Sequence, residues 1–171
     1  MSLVRAAALT ALLVLGVVLQ VAVFSLVSYQ GVVPNLTLIV VLAAALVRGP
    51  EFAAVLGFFG GLAIDLAPPA DHVAGRWALS LVVVGYLAGR VRQDARTSAA
   101  AAVVTVAAFS FVGTSVFALS GMLLHDPSVP AAEALRVIPL AVLYDVLVTP
   151  FVLPPVIRLL RWLRPRQVAF S

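Results

Sequence analysis

The sequence contains no cysteine, no lysine and little charge of any kind. Without cysteine there is no disulfide framework, no thiolate chemistry and no metal ligation by sulfur. Charged residues make up 11% of 171 residues, and hydrophobic ones 63%. A soluble chain of this length would spread charge over its surface. Lipid can solvate what water cannot, so residues 1–171 read as a single integral membrane domain. Catalytic signatures are absent as well. The chain has no glycine-rich phosphate loop, no H-E-x-x-H and no G-x-S-x-G. His72 and His125 stand alone in loops, outside any metal-ligand spacing. The residues therefore predict no metal, no cofactor and no enzyme. A pI near 10.7 would suit nucleic acid, but every basic residue is arginine, and the arginines lie at the ends of apolar runs rather than in one patch. That distribution sets membrane topology and meets lipid headgroups; it does not predict nucleic-acid binding.

The long apolar runs fix the fold class, an all-α membrane protein built as a six-transmembrane-helix bundle. The predicted spans are residues 4–26, 34–47, 52–66, 73–91, 98–124 and 137–157. The first run is too long for a signal-peptide core and is read as a retained helix. The second and third runs fall short of the roughly 20 residues a membrane crossing needs, which predicts either a hairpin inside the bundle or local thinning of the bilayer. With the N-terminus inside, nine arginines face the cytoplasm: Arg5, Arg48, Arg90, Arg92, Arg96, Arg158, Arg161, Arg164 and Arg166. Only Arg76 and Arg136 lie outside. That asymmetry predicts two cytoplasmic termini. Pro150, Pro154 and Pro155 should kink or end the sixth helix. Beyond them, residues 158–166 read as an interfacial amphipathic tail. Arg158, Arg161 and Arg164 line one face there, and Trp162 sits at headgroup level.

Polar and small residues inside the apolar runs are the functional candidates. Gly57 and Gly61 lie four apart on one helical face, as do Gly85 and Gly89. Small residues at that spacing let another backbone approach, either a partner's helix or a neighbour within the bundle. Asp65 lies one turn beyond Gly61 and could pair with an arginine, accept backbone donors or reach the outer surface. Tyr86 and Tyr144 are further intramembrane polar groups. Asp145 has apolar sequence on both sides. A carboxyl group there must face the interior, lose its charge or find a donor. Tyr86, Ser110, Thr114 and Thr149 are candidate partners. Tyr144-Asp145 also resembles the Tyr-Asp motif of presenilin-type intramembrane proteases. Those enzymes follow it with Gly-x-Gly-Asp. Here Leu62-Ala63-Ile64-Asp65 comes first and lacks the glycine, so proteolysis is not predicted.

The order of these features resembles a known family. Pro34-Asn35-Leu36 opens the second run. Gly57 to Leu66 has the form G-F-x-x-G-L-x-x-D-L. Gly75 with Ala78-Leu79, Gly85-Tyr86-Leu87-x-Gly89 and a proline-bearing last helix follow. The pattern, from about residue 30 to 160, is similar to that of the bacterial rod shape-determining protein MreD. The resemblance implies a bundle like the substrate-binding S components of energy-coupling-factor transporters, placed in the bacterial cytoplasmic membrane and without catalytic activity. It implies an MreC-type single-span partner, bound through helix faces. A SEDS glycosyltransferase and a class B penicillin-binding protein would complete the elongasome, which regulates lateral peptidoglycan synthesis and cell shape. A homodimer is compatible with the glycine faces. The alternative is a substrate-binding membrane subunit of a vitamin-type transporter. That reading needs outer polar groups converging on a pocket, and Asp71, His72, Arg76, His125, Asp126 and Asp145 are those on offer.

Overall fold

A computed structural model describes residues 3–28, 31–68, 73–92, 98–125 and 131–163. Those residues form six α-helices and one 3-10 turn. The helices are α1 (Leu3–Ala22), α2 (Leu36–Arg48), α3 (Pro50–Asp65), α4 (Arg76–Arg90), α5 (Ala99–Leu123) and α6 (Ala131–Trp162), and the turn is Phe24–Val27. Three helices, α1, α5 and α6, are long and apolar enough to cross a membrane. At 13 residues, α2 is about 20 Å long, well short of the hydrocarbon thickness.

The short helix α2 is the core of the bundle. Every residue from Leu36 to Val47 is buried, and α2 packs against all five other helices. Its sequence, Leu-Thr-Leu-Ile-Val-Val-Leu-Ala-Ala-Ala-Leu-Val-Arg, is apolar on every side, as a surrounded helix requires. Asn35 starts it: the side-chain Oδ1 accepts from the Leu38 N–H at 2.9 Å. Gly49 ends it with φ 102°, a conformation that favours glycine, and Pro50 then opens α3. One residue thus turns the chain between two helices, giving the hairpin expected from the two short runs.

Helices α3 and α4 are the most closely joined pair. A β-carbon on Gly57 would collide with the Leu81 carbonyl, and one on Gly61 with the backbone of Trp77 and Ala78. From the other side, Gly85 meets the Ala53 carbonyl and Gly89 meets Pro50. Positions on α4 fall as those on α3 rise, so the helices run antiparallel with their backbones in contact.

The end of the chain departs from expectation. α6 runs without interruption from Ala131 to Trp162, with Pro139, Pro150, Pro154 and Pro155 inside it. The prolines do not end it, and Ala131–Arg136 is its first part. Proline removes one donor per position, yet membrane helices tolerate it because side chains and neighbours satisfy the freed carbonyls. The expected interfacial tail is therefore continuous with the sixth helix. Leu153, Val156, Leu160 and Leu163 are buried along one stripe of it, while Arg158, Arg161 and Trp162 are exposed. Arg164 and Arg166 lie outside the described residues. α1 also ends earlier than the predicted first span, at Ala22, and α4 begins at Arg76 rather than Val73.

Candidate functional site

Both acids singled out in the sequence are buried, Asp65 at 2% and Asp145 at 1% relative exposure. Each meets the N-terminus of a helix other than its own. The Asp65 carboxylate, at the end of α3, accepts from the backbone N–H groups of Gly75 (2.9 Å), Trp77 (3.1 Å) and Ala78 (3.1 Å). These donors belong to the first turn of α4, where Gly75 offers no side-chain cap. Negative charge is favoured at that end of a helix. Accepting backbone donors was one of the fates open to Asp65 in the sequence, and the carboxylate does so here.

Asp145 sits midway along α6 and ties three helices together. Its Oδ1 accepts from the Asn35 N–H at the start of α2 (2.6 Å), and its Oδ2 accepts from Ser110 Oγ on α5 (2.5 Å). Thr149 Oγ1 donates to the Asp145 carbonyl at 2.5 Å, and Thr114 donates to the Ser110 carbonyl at 2.8 Å. Ser110 is thus the side-chain partner among the four foreseen, with Thr114 and Thr149 close by on their own helices. Tyr86 is elsewhere: it is 43% exposed, with its hydroxyl 3.5 Å from Arg90 Nη1. Tyr144, beside Asp145, is half-buried.

Asn35, missed as a site member, and Arg76, offered only as an outer polar group, complete the picture. Asn35 was visible only as part of a motif, although an asparagine just ahead of an apolar run is itself a helix-start signal. Arg76 was counted as an outer charge. Instead it is 2% exposed, donates from Nη2 to the Phe117 carbonyl at 2.8 Å and lies 3.9 Å from the Phe117 ring centroid. Phe117 also stacks on Trp77, with centroids 4.4 Å apart. Gly121 makes room for the Arg76 guanidinium, which a β-carbon there would strike. Nothing periodic in the sequence announces this arrangement.

Beside Asp145 the bundle opens into a cavity of about 440 Å³. The end of α1, the start of α2, the end of α3, the start of α4 and parts of α5 and α6 surround it. Gln20, Asn35, Thr114 and Asp145 are its buried polar side chains, and Trp77 and Phe117 form an aromatic wall. A second, apolar groove of about 230 Å³ lies between α1 and α3. Gly57, Gly61, Gly85 and Gly89 line neither hollow. Offered in the sequence as a surface for a partner's helix or for a neighbour within the bundle, they face backbone within the chain, so their small size is consumed by the α3–α4 contact. His125 is described, exposed, with φ 55°; Asp71, His72 and Asp126 lie outside the described residues. No metal-binding group of His, Cys, Asp or Glu occurs among the described residues.

Long apolar helices, large side chains such as Phe151, Leu119 and Val104 exposed on their outer faces, and the acids Asp65 and Asp145 buried at interhelical contacts define an α-helical membrane protein. No curated protein and no solved structure matches the chain. The family model of the rod shape-determining protein MreD matches residues 2–163, and the chain belongs to that family. Membership carries a role in rod shape determination and a place in the membrane, in a structural family rather than an enzyme family.

Proposed function

We propose that the chain is a non-catalytic membrane scaffold of the lateral peptidoglycan synthesis machinery, and that it holds the transmembrane helix of an MreC-type partner. The groove between α1 and α3 carries this reading. Ala6 and Thr10 lie one turn apart on α1, and Phe52, Val55 and Phe59 form the opposite wall. Small residues at that spacing admit a helix backbone, and the flanking aromatics supply dispersion contact. Val55 and Phe59 are each 58% exposed, so this face is available at the bundle surface. Through that partner the scaffold would reach a SEDS glycosyltransferase and a class B penicillin-binding protein. Six membrane passages with both termini cytoplasmic fit the arginine asymmetry, and the bundle would then resemble transporter S components. In that orientation the groove lies toward the cytoplasm and the cavity toward the outside. Arg158, Arg161 and Trp162, exposed at the end of α6, would meet anionic lipid headgroups.

The absence of cysteine makes the test direct. Single cysteines at Thr10 or Phe59, paired with a cysteine scan of the partner's span, should give disulfides that recur every three or four partner positions. Cysteines at Leu87 or Phe111, on other exposed faces, should give none. Cross-links only at those control sites would move the docking face away from α1 and α3. A pull-down from native membranes separates scaffold from transporter. The scaffold recovers a coiled-coil single-span protein, and the transport subunit recovers a coupling protein with its ATPases.

A further inference from the structure

The α1–α3 groove has an apolar lining apart from Thr10, and one charge stands at its rim. It runs from Ala6 to Leu13 on α1 and from Phe52 to Phe59 on α3, about 10 Å, a third of the hydrocarbon thickness. Glu51, Val55 and Phe59 are spaced four apart, so they share one face of α3, and all three are exposed. Glu51 has no ion pair among the described residues; the nearby Arg48 guanidinium lies over the Phe52 ring, 4.2 Å from its centroid. In the orientation proposed above this end faces the cytoplasm, where nine arginines stand against two acids, Glu51 and Asp94. Asp94 lies outside the described residues. The cytoplasmic leaflet presents a negative surface, which attracts arginine and repels a carboxylate. An acid in the first turn favours its helix through the dipole on any face. This one stands on the face that carries the groove.

We propose, on the reading that a partner's transmembrane helix fills the α1–α3 groove, that Glu51 selects this helix by pairing with an arginine or lysine on its cytoplasmic flank. Membrane-spanning helices carry an excess of arginine and lysine on that flank, whichever way the chain runs. A carboxylate at the inner end of the groove is complementary to such a helix. A lipid chain in the same place would leave the carboxylate against anionic headgroups. The pairing also sets a register. Glu51 lies eight residues before Phe59, about 12 Å toward the cytoplasm. The partner's basic residue therefore lies roughly eight positions toward the cytoplasm from the residue that meets Phe59.

The test titrates the full chain with the full-length MreC-type partner in detergent micelles, read by energy transfer between labels, at low and at high salt. Glu51→Arg should weaken binding about tenfold at low salt, and less at high salt. Glutamate at the partner's basic position should restore binding to Glu51→Arg and weaken binding to the parent chain. An acid that only stabilises its helix moves the unfolding temperature of the chain alone and shows no such exchange. Parent-like binding by Glu51→Arg, or a loss that no charge exchange restores, would overturn the proposal. Neutral variants give a second reading where Glu51→Arg folds poorly. Glu51→Gln and glutamine at the partner's basic position should each weaken binding about threefold, and together no more than either alone. Additive losses would overturn the pairing. Disulfides from Thr10→Cys to the partner are scored in the same samples. Where they keep their helical spacing, a failed exchange strikes Glu51 and leaves the groove reading standing. Disulfides joining Thr10→Cys of two copies of this chain would give the groove to a dimer, and both readings would fall.

Discussion

The α3–α4 contact and the cavity beside Asp145 handle small residues and polar groups in opposite ways. Along α3–α4, four glycines bring backbone onto backbone, and Asp65 closes the end by meeting the free N–H groups of α4. At the cavity, bulky side chains stand apart, and Asp145 satisfies one side of Asn35 while leaving Nδ2 without a partner. Both regions place an acid at a helix N-terminus. One is closed. The other leaves a cavity of about 440 Å³. In this chain, then, glycine spacing marks close packing of backbones, and bulky side chains around a buried acid leave a hollow.

Substitutions that break the closed region should have the largest effects. Gly61→Leu forces a side chain into the Trp77 and Ala78 backbone and should cost about 3 kcal/mol or more. Size-exclusion profiles in mild detergent should then show loss of folded protein rather than selective loss of a partner. A well-folded Gly61→Leu protein would return this face to the list of docking surfaces. Next, Asp65→Ala removes the acceptor from the first turn of α4 and should cost about 2–3 kcal/mol, read as a fall in unfolding temperature. The open region should respond less to a conservative change. Asp145→Asn keeps an oxygen for the Asn35 N–H, and the Ser110 hydroxyl can turn to accept, so its cost should be about 1 kcal/mol. Asp145→Leu strands both donors and should cost about twice that. A large loss of partner assembly in Asp145→Asn, with normal thermal stability, would show that the charge itself matters. The smallest effect is expected at the exposed end of α6. Arg161→Gln should reduce binding of detergent-solubilised protein to anionic vesicles by about fivefold, with no change in unfolding temperature.

Much of this architecture was legible because burial in lipid leaves a strong trace. Long apolar runs located α1, α5 and α6 to within a few residues, apart from the extra length at both ends of α6. The runs Pro34–Val47 and Phe52–Leu66 were read as short spans forming a hairpin or thinning the bilayer, and Gly49-Pro50 makes the turn between them. The glycine spacing was legible but its direction was not, since a helical face carries no label for inside or outside. The prolines of α6 were read as kinking or ending the helix, and they do not end it, because their effect depends on neighbours that compensate the lost donors. Arg76 escaped because its burial rests on Phe117 and Gly121, about 40 residues away in sequence, which no local pattern links to it.

The hydrogen bond from the Asn35 N–H to Asp145 joins positions 110 residues apart. It therefore has a consequence for biosynthesis. The central helix α2 is the second to leave the ribosome, yet its start is not fastened until α6 has been made. Until residue 145 arrives, the N–H of Asn35 has to find another acceptor, and the helix around which the bundle is built stays only partly secured. A chain interrupted before α6 would thus hold its innermost helix through α1, α3 and α4 while the Asn35 N–H at its start lacks this acceptor. In this protein the start of the second helix to be made waits for the last.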